Sequence, residues 1–319
     1  MANKHSTLTS LFDDIADALR AVTPVTAQIV ADAFPAYIRM LGYAGTLPAD
    51  PTDLNSCTWD FIRWASDQGI ADLLWSVGDR KAVTIGKWGS PNLSSSWGDY
   101  IVSKGTYYCY ILGFDHNSEW EGDNRIHFEF GFSSLSGGEH IAFGVNIYEK
   151  MSSDMSSPQM LRMNPTDSNL GGWEASTMRT GTLNGNMNSF QSAVPAELLN
   201  VIKPTAKYTD NVGGGAGSVE SNVTATTDKF WVLNVFEIFT GVVGCNQYEK
   251  EKTKRYQYYI NGNPANRYKS NDLQTLGRAF LRSPQSDDAT NFKNISTVNG
   301  NIGNAGARMF YCVSPCFCV

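Results

Sequence analysis

The sequence has few charged residues, an acidic balance and no long apolar run. Charged residues make up 18% of the 319 residues, with 25 Lys and Arg against 31 Asp and Glu, a formal net charge of -6. A protein that binds nucleic acid through its phosphates needs a basic surface, which argues against that partner. No stretch approaches the ~18 apolar residues of a membrane span, and residues 1–22 lack the apolar core of a signal peptide. We therefore expect no nucleic-acid partner and no membrane insertion.

Several ligand motifs are also missing. The glycine-rich stretch 213–217 is not followed by the Lys and Ser or Thr of a phosphate loop. Glu119 to Asp123 only begins the alternating oxygen ligands of a calcium loop, and Cys312, Cys316 and Cys318 do not form the paired motifs of a zinc site. We expect no metal and no cofactor.

The six cysteines, at 57, 109, 245, 312, 316 and 318, are mostly far apart in the sequence. Cys316 and Cys318 would share one face of a strand, an awkward geometry for a mutual disulfide. The number and spacing of the cysteines indicate free thiols and synthesis in a reducing cytoplasm.

What the sequence does have is apolar and aromatic residues, 42% and 12% of the chain, with 29 glycines. This composition is typical of a folded protein with many short strands joined by turns. Short β-branched and aromatic runs predict strands, and the continuous apolar run Phe230 to Ile238 predicts a buried central strand. The apolar tail Met309 to Val319 is expected in the core. Further strands are expected at 82–85, 100–102, 106–114, 126–130 and 141–148.

Residues 1–45 are interpreted as a helical arm. Leu11, Phe12, Ile15, Leu19 and Val22 recur at helical spacing, and a second apolar pattern from residue 29 to 38 is interrupted by a proline. The arm could pack on its own domain, or it could dock on a partner or on a trimer axis. The run TLTSLFDDIADALRAVTPVTAQIVADAFPAYIRML resembles the N-terminal module of tail and other structural proteins in phages of Gram-positive bacteria.

Residues 46–319 are interpreted as one domain, and a second resemblance spans roughly residues 70 to 319. Its landmarks are ILGFDHN at 111–117, RMNPTDSNLGGWEASTMRT at 162–180, VPAELLNVIKPTAKYTD at 194–210, DKFWVLNVFEIF at 228–239, LRSP at 281–284 and the terminal CFCV. They resemble a bacterial and phage family with a C-type-lectin-like fold, related to the formylglycine-generating enzymes. The resemblance implies an α+β fold of mixed short sheets with two packed helices. In some relatives the loop-rich face near the C-terminus is diversified by retroelements. The calcium-dependent sugar-binding signatures of C-type lectins are absent.

The resemblance places a ligand-binding face in residues 285–311, which are dense in small polar residues with occasional aromatics and basic residues. Composition alone favours an ordinary solvated loop, and the position of the segment in the family reverses that preference. The expected contact residues are Gln285, Asp287, Asp288, Asn291, Lys293, Asn294, Asn299, Asn301, Asn304, Arg308 and Tyr311. Tyr256, Tyr258 and Tyr259, which follow the charged run 249–255, form a second candidate patch or a strand edge protected by charge.

These observations predict a phage virion protein, such as a tail fibre, that binds a bacterial surface receptor and is assembled in the host cytoplasm. The expected partners are a protein or glycan receptor, other virion proteins bound through residues 1–41, and two further copies in a homotrimer. We expect no catalytic residues. Two alternatives stay open: an enzyme of the formylglycine-generating class that uses Asp115 and His116 or the terminal cysteines, and a virion decoration protein that binds no receptor.

Overall fold

A computed structural model describes residues 8–26, 28–89, 104–131, 161–260, 264–270, 276–296, 300–309 and 311–319. The strands expected at 100–102 and 141–148, and the candidate contact residue Asn299, lie outside these ranges. Within them the protein is an α+β fold with small antiparallel sheets and several short helices, which confirms the expected class.

Most helices are single turns, and the first is the longest. In chain order they are α1 (Leu8–Val22), α2 (Phe34–Met40), α3 (Trp59–Asp67), α4 (Ala71–Leu74), α5 (Ser118–Glu121), α6 (Gly172–Ala175), α7 (Phe190–Ala193), α8 (Ala196–Leu199), α9 (Val235–Ile238), α10 (Glu249–Lys252) and α11 (Gln257–Ile260). Four 3-10 turns (Ala31–Ala33, Leu54–Ser56, Glu220–Asn222, Pro264–Arg267) and a π-helical turn (Met178–Leu183) accompany them. Among the described residues, no helix has the length and apolar character needed to cross a membrane.

Within the described ranges the strands form four sheets, and every pairing between these strands is antiparallel. The largest has the order β1-β2-β3-β11, a second has the order β10-β9-β8, and β4-β5 and β6-β7 are two-stranded. The bounds are β1 (Arg80–Ile85), β2 (Gly105–Phe114), β3 (Ile126–Gly131), β4 (Thr205–Asp210), β5 (Val223–Asp228), β6 (Lys269–Ser270), β7 (Leu276–Gly277), β8 (Ala279–Pro284), β9 (Asn291–Ile295), β10 (Ile302–Gly306) and β11 (Cys316–Cys318).

The C-terminal tail is part of the core, as its apolar sequence predicts. Strand β11 pairs with β3, where Phe317 lies opposite Phe128. The Phe317 ring is fully buried and also contacts the rings of Trp59, Phe130 and Phe230. The last residues therefore join the first long sheet to the helix α3.

The prediction of a central strand over Phe230 to Ile238 is wrong, although the segment is buried as expected. Trp231 makes only an isolated bridge to Cys316, and the chain then turns into α9. Asn234 starts that turn with a capping box: its side chain accepts the Phe236 N–H at 2.8 Å, and its own N–H is donated to Glu237 at 2.7 Å. An apolar run alone does not distinguish a buried strand from a buried helical turn.

The N-terminal helices pack on the body through one side and expose apolar residues on the other. Pro35 does not interrupt α2 but lies in its first turn, where a missing N–H costs nothing. Ala36, Tyr37 and Met40 are fully buried, and Arg39 donates to the Gln68 carbonyl at 2.6 Å. Five of the thirteen large exposed apolar residues in the described ranges are nevertheless found here: Leu8, Val22, Val30, Ile38 and Leu41.

We predict that Phe317→Ala lowers the free energy of unfolding by about 3–5 kcal/mol, because a cavity remains among four aromatic rings. Urea unfolding followed by tryptophan fluorescence measures this. Met187→Ala is the control, since that side chain is 80% exposed and should change stability by less than about 0.5 kcal/mol. A loss below about 1 kcal/mol for Phe317→Ala would show that the tail is not central to the core.

Candidate functional site

The predicted recognition segment, residues 285–311, contributes β9 and β10 to a three-stranded sheet with β8, and hydrogen bonds hold its β8–β9 turn. The Gln285 N–H donates to the Asn291 carbonyl at 2.9 Å, which closes the turn. Within it, Asp288 accepts hydrogen bonds from the hydroxyl and the N–H of Thr290. The Thr290 hydroxyl and N–H lower the pKa of the Asp288 carboxyl. Asp288 therefore has a structural part in shaping the turn.

A buried asparagine on a distant loop supports the same turn. The Asn169 amide donates to the carbonyl oxygens of Gln285, Asp288 and Asn291 at 3.1, 2.7 and 2.7 Å. Its own oxygen accepts the Gly214 N–H at 2.7 Å. One fully buried side chain thus fixes the path of the turn and ties it to the glycine-rich loop.

An open cleft of about 500 Å³ lies beside this turn, and we call it the sheet cleft. One wall is the loop Gly241 to Gly244, and the other comes from the β8–β9 turn, β9 and β10. Four of the predicted contact residues meet there: Gln285, Asp287, Lys293 and Asn304.

The polar groups of the sheet cleft are only partly satisfied. The Lys293 ammonium donates to the Val243 carbonyl at 3.0 Å and to the Asn304 side-chain oxygen at 2.8 Å, and burial lowers the pKa of Lys293. The Gln285 amide donates to Asp287 at 2.8 Å. The Gln285 Oε1 atom is buried and accepts no hydrogen bond from the described residues. The cleft thus offers a hydrogen-bond acceptor together with the Asp287 carboxylate.

The remaining predicted residues lie elsewhere. Asn294 is 1% exposed, and neighbouring residues of a strand point to opposite faces, so it faces away from the Lys293 side. Arg308 pairs with Asp167 at 2.6 Å, and Tyr311 accepts a hydrogen bond from Arg278 at 2.9 Å. The other residues are Asn291 at the start of β9 and Asn301 before β10. None of these is in the lining of the sheet cleft.

A second cleft of about 300 Å³ adjoins the first, since Gly241 and Val242 line both. Lys250 and Arg255 contribute its basic groups, so we call it the basic cleft. These residues belong to the charged run that precedes the candidate tyrosine patch in the sequence.

The prediction of a tyrosine patch as a binding surface is wrong, because Tyr256 and Tyr259 are 0% and 5% exposed. The signal that could have found the cleft was the excess of basic over acidic residues from 250 to 255.

Beneath the clefts lies a buried network of charges. Arg282 in β8 donates to both oxygens of Glu237 in α9, at 2.6 and 3.0 Å. Lys207 in β4 contacts Glu237 at 3.2 Å and Glu121 at 2.8 Å. Two carboxylates thus face two cations. Burial would raise the pKa of Glu237, but Arg282 and Lys207 outweigh it and lower that pKa to about 2.

The same network contains a potential metal-ligand set. His116, Glu121 and Glu237 offer ligand atoms within 4.8 Å of one another. The Lys207 ammonium, however, lies within 3.2 Å of both carboxylates, where a cation would have to bind. Burial and the nearby Lys207 lower the pKa of His116 to about 3, so this histidine is neutral. A metal could bind here only if the lysine moved away, and the residues fit a lysine-filled ion cluster better.

The candidate catalytic groups have different partners. Asp115 accepts the Arg125 N–H at 2.9 Å, whereas the buried His116 ring stacks on Tyr256 with centroids 3.6 Å apart. Burial raises the pKa of the Cys316 thiol well above its usual value, and also that of Cys318, which disfavours the reactive thiolates. All six cysteines are free and buried. This geometry gives the enzymatic alternative no activated group among these residues.

Glu249 connects α10, beside the basic cleft, to strand β8. It accepts hydrogen bonds from the Ser283 hydroxyl, the Asn234 amide and the Asp210 N–H, each at 2.8 Å. Burial nevertheless dominates and raises the pKa of Glu249 to about 7. The folded state therefore holds this proton at pH values where the unfolded chain has released it.

We predict that Glu249 makes unfolding pH-dependent between its ordinary pKa of 4.5 and about 7. Because the raised pKa favours the protonated folded state, wild type should lose stability relative to Glu249→Gln as the pH rises from 5 to 7. The difference should change by up to about 1.4 kcal/mol per pH unit in urea titrations. Glu251→Gln, on the exposed side of the same turn, is the matched control. A difference that is constant with pH would contradict the assignment.

Comparison with known proteins gives one match. No curated protein and no solved structure matches the chain. Residues 153–319, just over half of the chain, match the model of a domain of unknown function, DUF6273. This region contains the sheet cleft, the basic cleft, Asn169 and three members of the ion network, Lys207, Glu237 and Arg282. The chain therefore belongs to the DUF6273 family.

Proposed function

We propose that the protein is a phage virion protein that binds a bacterial surface receptor through the sheet cleft. The observation that carries this proposal is the cleft itself, where four residues chosen from the sequence as contacts line one open, polar surface. The unpartnered Gln285 oxygen supports a binding role, because a buried acceptor without a donor is costly unless a ligand or water supplies one.

The buried contacts that hold the sheet cleft are suited to a recognition surface. Asn169 holds the turn from below, and Arg282 anchors β8 to α9 through two hydrogen bonds to Glu237. Side chains on the outer side of the cleft can therefore change while these buried contacts persist. Binding residues are often placed in this way, on loops held by a rigid scaffold.

We assign the domain a C-type-lectin-like fold, a finer description than the α+β class. The small antiparallel sheets and the terminal strand paired within the first sheet support this assignment. So does the position of the sheet cleft near the end of the chain. The possible diversification of residues 282–319 by a retroelement belongs to the same proposal.

The N-terminal arm attaches the protein to the virion. Its buried side packs on the body, and its exposed side carries Ile38 and Leu41, three residues apart and 56% and 51% exposed. Exposed apolar residues clustered on one segment are typical of interaction sites. We propose that residues 1–41 bind other virion proteins and form a homotrimer, which would raise avidity by presenting three clefts together. The protein would be assembled in the host cytoplasm and reside in the virion.

We predict that alanine replacement of Gln285 and Asp287 together weakens binding to host cells at least ~30-fold, the loss expected for a hot spot of about 2 kcal/mol. Adsorption of labelled protein to cells measures the affinity, and the melting temperature should stay unchanged. Arg308→Ala is the control, because Arg308 pairs with Asp167 and does not line the cleft. Unchanged adsorption for the double variant would show that the receptor binds at another part of the protein.

We also predict that Ile38→Lys with Leu41→Lys abolishes oligomers without unfolding the body. Light scattering at micromolar concentration should give a mass three times the 35.0 kDa of one chain for wild type, and 35.0 kDa for the variant. Met187→Lys places one such charge at another exposed apolar position and should leave the trimer intact. A mass of 35.0 kDa for the wild-type protein would show that it is a monomer and would contradict the trimer.

A further inference from the structure

The basic cleft has two cations without partners. Lys250 is exposed and Arg255 is half-buried, and both side chains line the cleft. Neither makes an ion pair or a side-chain hydrogen bond with any other described residue.

No carboxylate lines the basic cleft in the part of the chain that the structure describes. Its other polar groups are the side chains of Thr240, Gln247 and Thr253, and its apolar floor comes from Phe236 and Phe239. Arg267 lies over the Phe239 ring at 5.1 Å and adds a third positive charge nearby. On a chain with a net charge of -6, this is a local positive field that attracts anions.

The sheet cleft, joined to it at Gly241 and Val242, has the opposite character. Its available polar groups are acceptors: the unpartnered Gln285 oxygen, and the Asp287 carboxylate, which accepts a hydrogen bond from the Gln285 amide. Among the described lining residues the one cation is Lys293, which already donates to Val243 and Asn304. A ligand must therefore bring hydrogen-bond donors, such as hydroxyl groups, to this end and negative charge to the other.

We propose that the two clefts form one site for an acidic saccharide. Lys250 and Arg255 hold its carboxylate or phosphate, and Gln285 and Asp287 accept hydrogen bonds from its hydroxyl groups. The aromatic floor contacts the apolar face of a sugar ring or polyol chain. This inference rests on the proposed receptor-binding function and names the chemical class of the receptor.

The test uses the full-length protein and three polymers in a binding assay at ~0.15 M salt. One is a polyuronate, one is a phosphorylated dextran, and unmodified dextran is the neutral reference. We expect at least one acidic polymer to bind at least ~10-fold more tightly than dextran, and the two acidic polymers distinguish carboxylate from phosphate. Lys250→Gln with Arg255→Gln should remove that preference.

Two controls make the result specific. Lys254→Gln removes an exposed positive charge from the same segment but outside the cleft lining, and it should keep most of the binding. Gln285→Ala should weaken acidic polymers and dextran alike, because it removes a contact to hydroxyl groups. Equal losses for Lys254→Gln and for either cleft substitution, each made singly, would indicate attraction by overall charge and would overturn the inference.

The inference and the proposed function fail in different ways. If wild type binds neither acidic polymer better than dextran, the acidic saccharide is wrong, whatever happens on cells. Adsorption to host cells that still depends on Gln285 and Asp287 would then leave the receptor-binding function standing, with a different ligand. If adsorption is independent of those residues as well, both proposals fail.

Discussion

The structure depends most on the buried link between Lys207, Glu237 and Arg282. These three residues come from β4, α9 and β8, and each is at most 1% exposed. Removing one partner of a buried ion pair leaves an uncompensated charge and typically costs about 3–5 kcal/mol. The link therefore acts as a clamp between elements that are far apart in the sequence.

The clamp also determines the positions of the sheet cleft and the basic cleft. Helix α9 leads directly into the loop Gly241 to Gly244, and β8 leads into the turn that begins at Gln285. The two walls of the sheet cleft thus extend from two elements joined by the double hydrogen bond of Arg282 to Glu237. Glu249 adds a second tie, since it connects α10, which carries Lys250, to Ser283 of β8. Buried polar contacts position both clefts, and Asp288 with Thr290 shapes the turn of the sheet cleft from within.

Local patterns in the sequence predicted the local features well. Helical spacing identified α1, β-branched and aromatic runs identified β2 and β3, and the apolar tail is buried as its composition requires. The Phe230 to Ile238 segment was wrongly predicted to be a strand. Its apolar run indicates only that it is buried, whereas the capping by Asn234 and Glu237 makes it end in a helical turn.

The site was predictable only in part, for a physical reason. The resemblance and the polar composition together singled out Gln285, Asp287, Lys293 and Asn304. Neither could show that Asn294 is buried or that Arg308 pairs with Asp167. Lys207 and Glu237 are 30 residues apart, and Glu121 lies 86 residues before Lys207. Such pairings depend on tertiary packing and leave no periodic signal. The basic cleft was missed for the same reason, because Lys250 and Arg255 become a site only when α9 and the following loop fold beside them.

Hydrogen–deuterium exchange with and without a host cell-wall preparation tests the central claim most directly. The claim is that one face, formed by residues 240–255 and 285–306, meets the receptor. We predict slower exchange confined to those two segments when the preparation is added, with the arm at residues 8–41 unchanged. Protection of the arm, or of surfaces such as 178–191, without protection of these two segments would contradict the account.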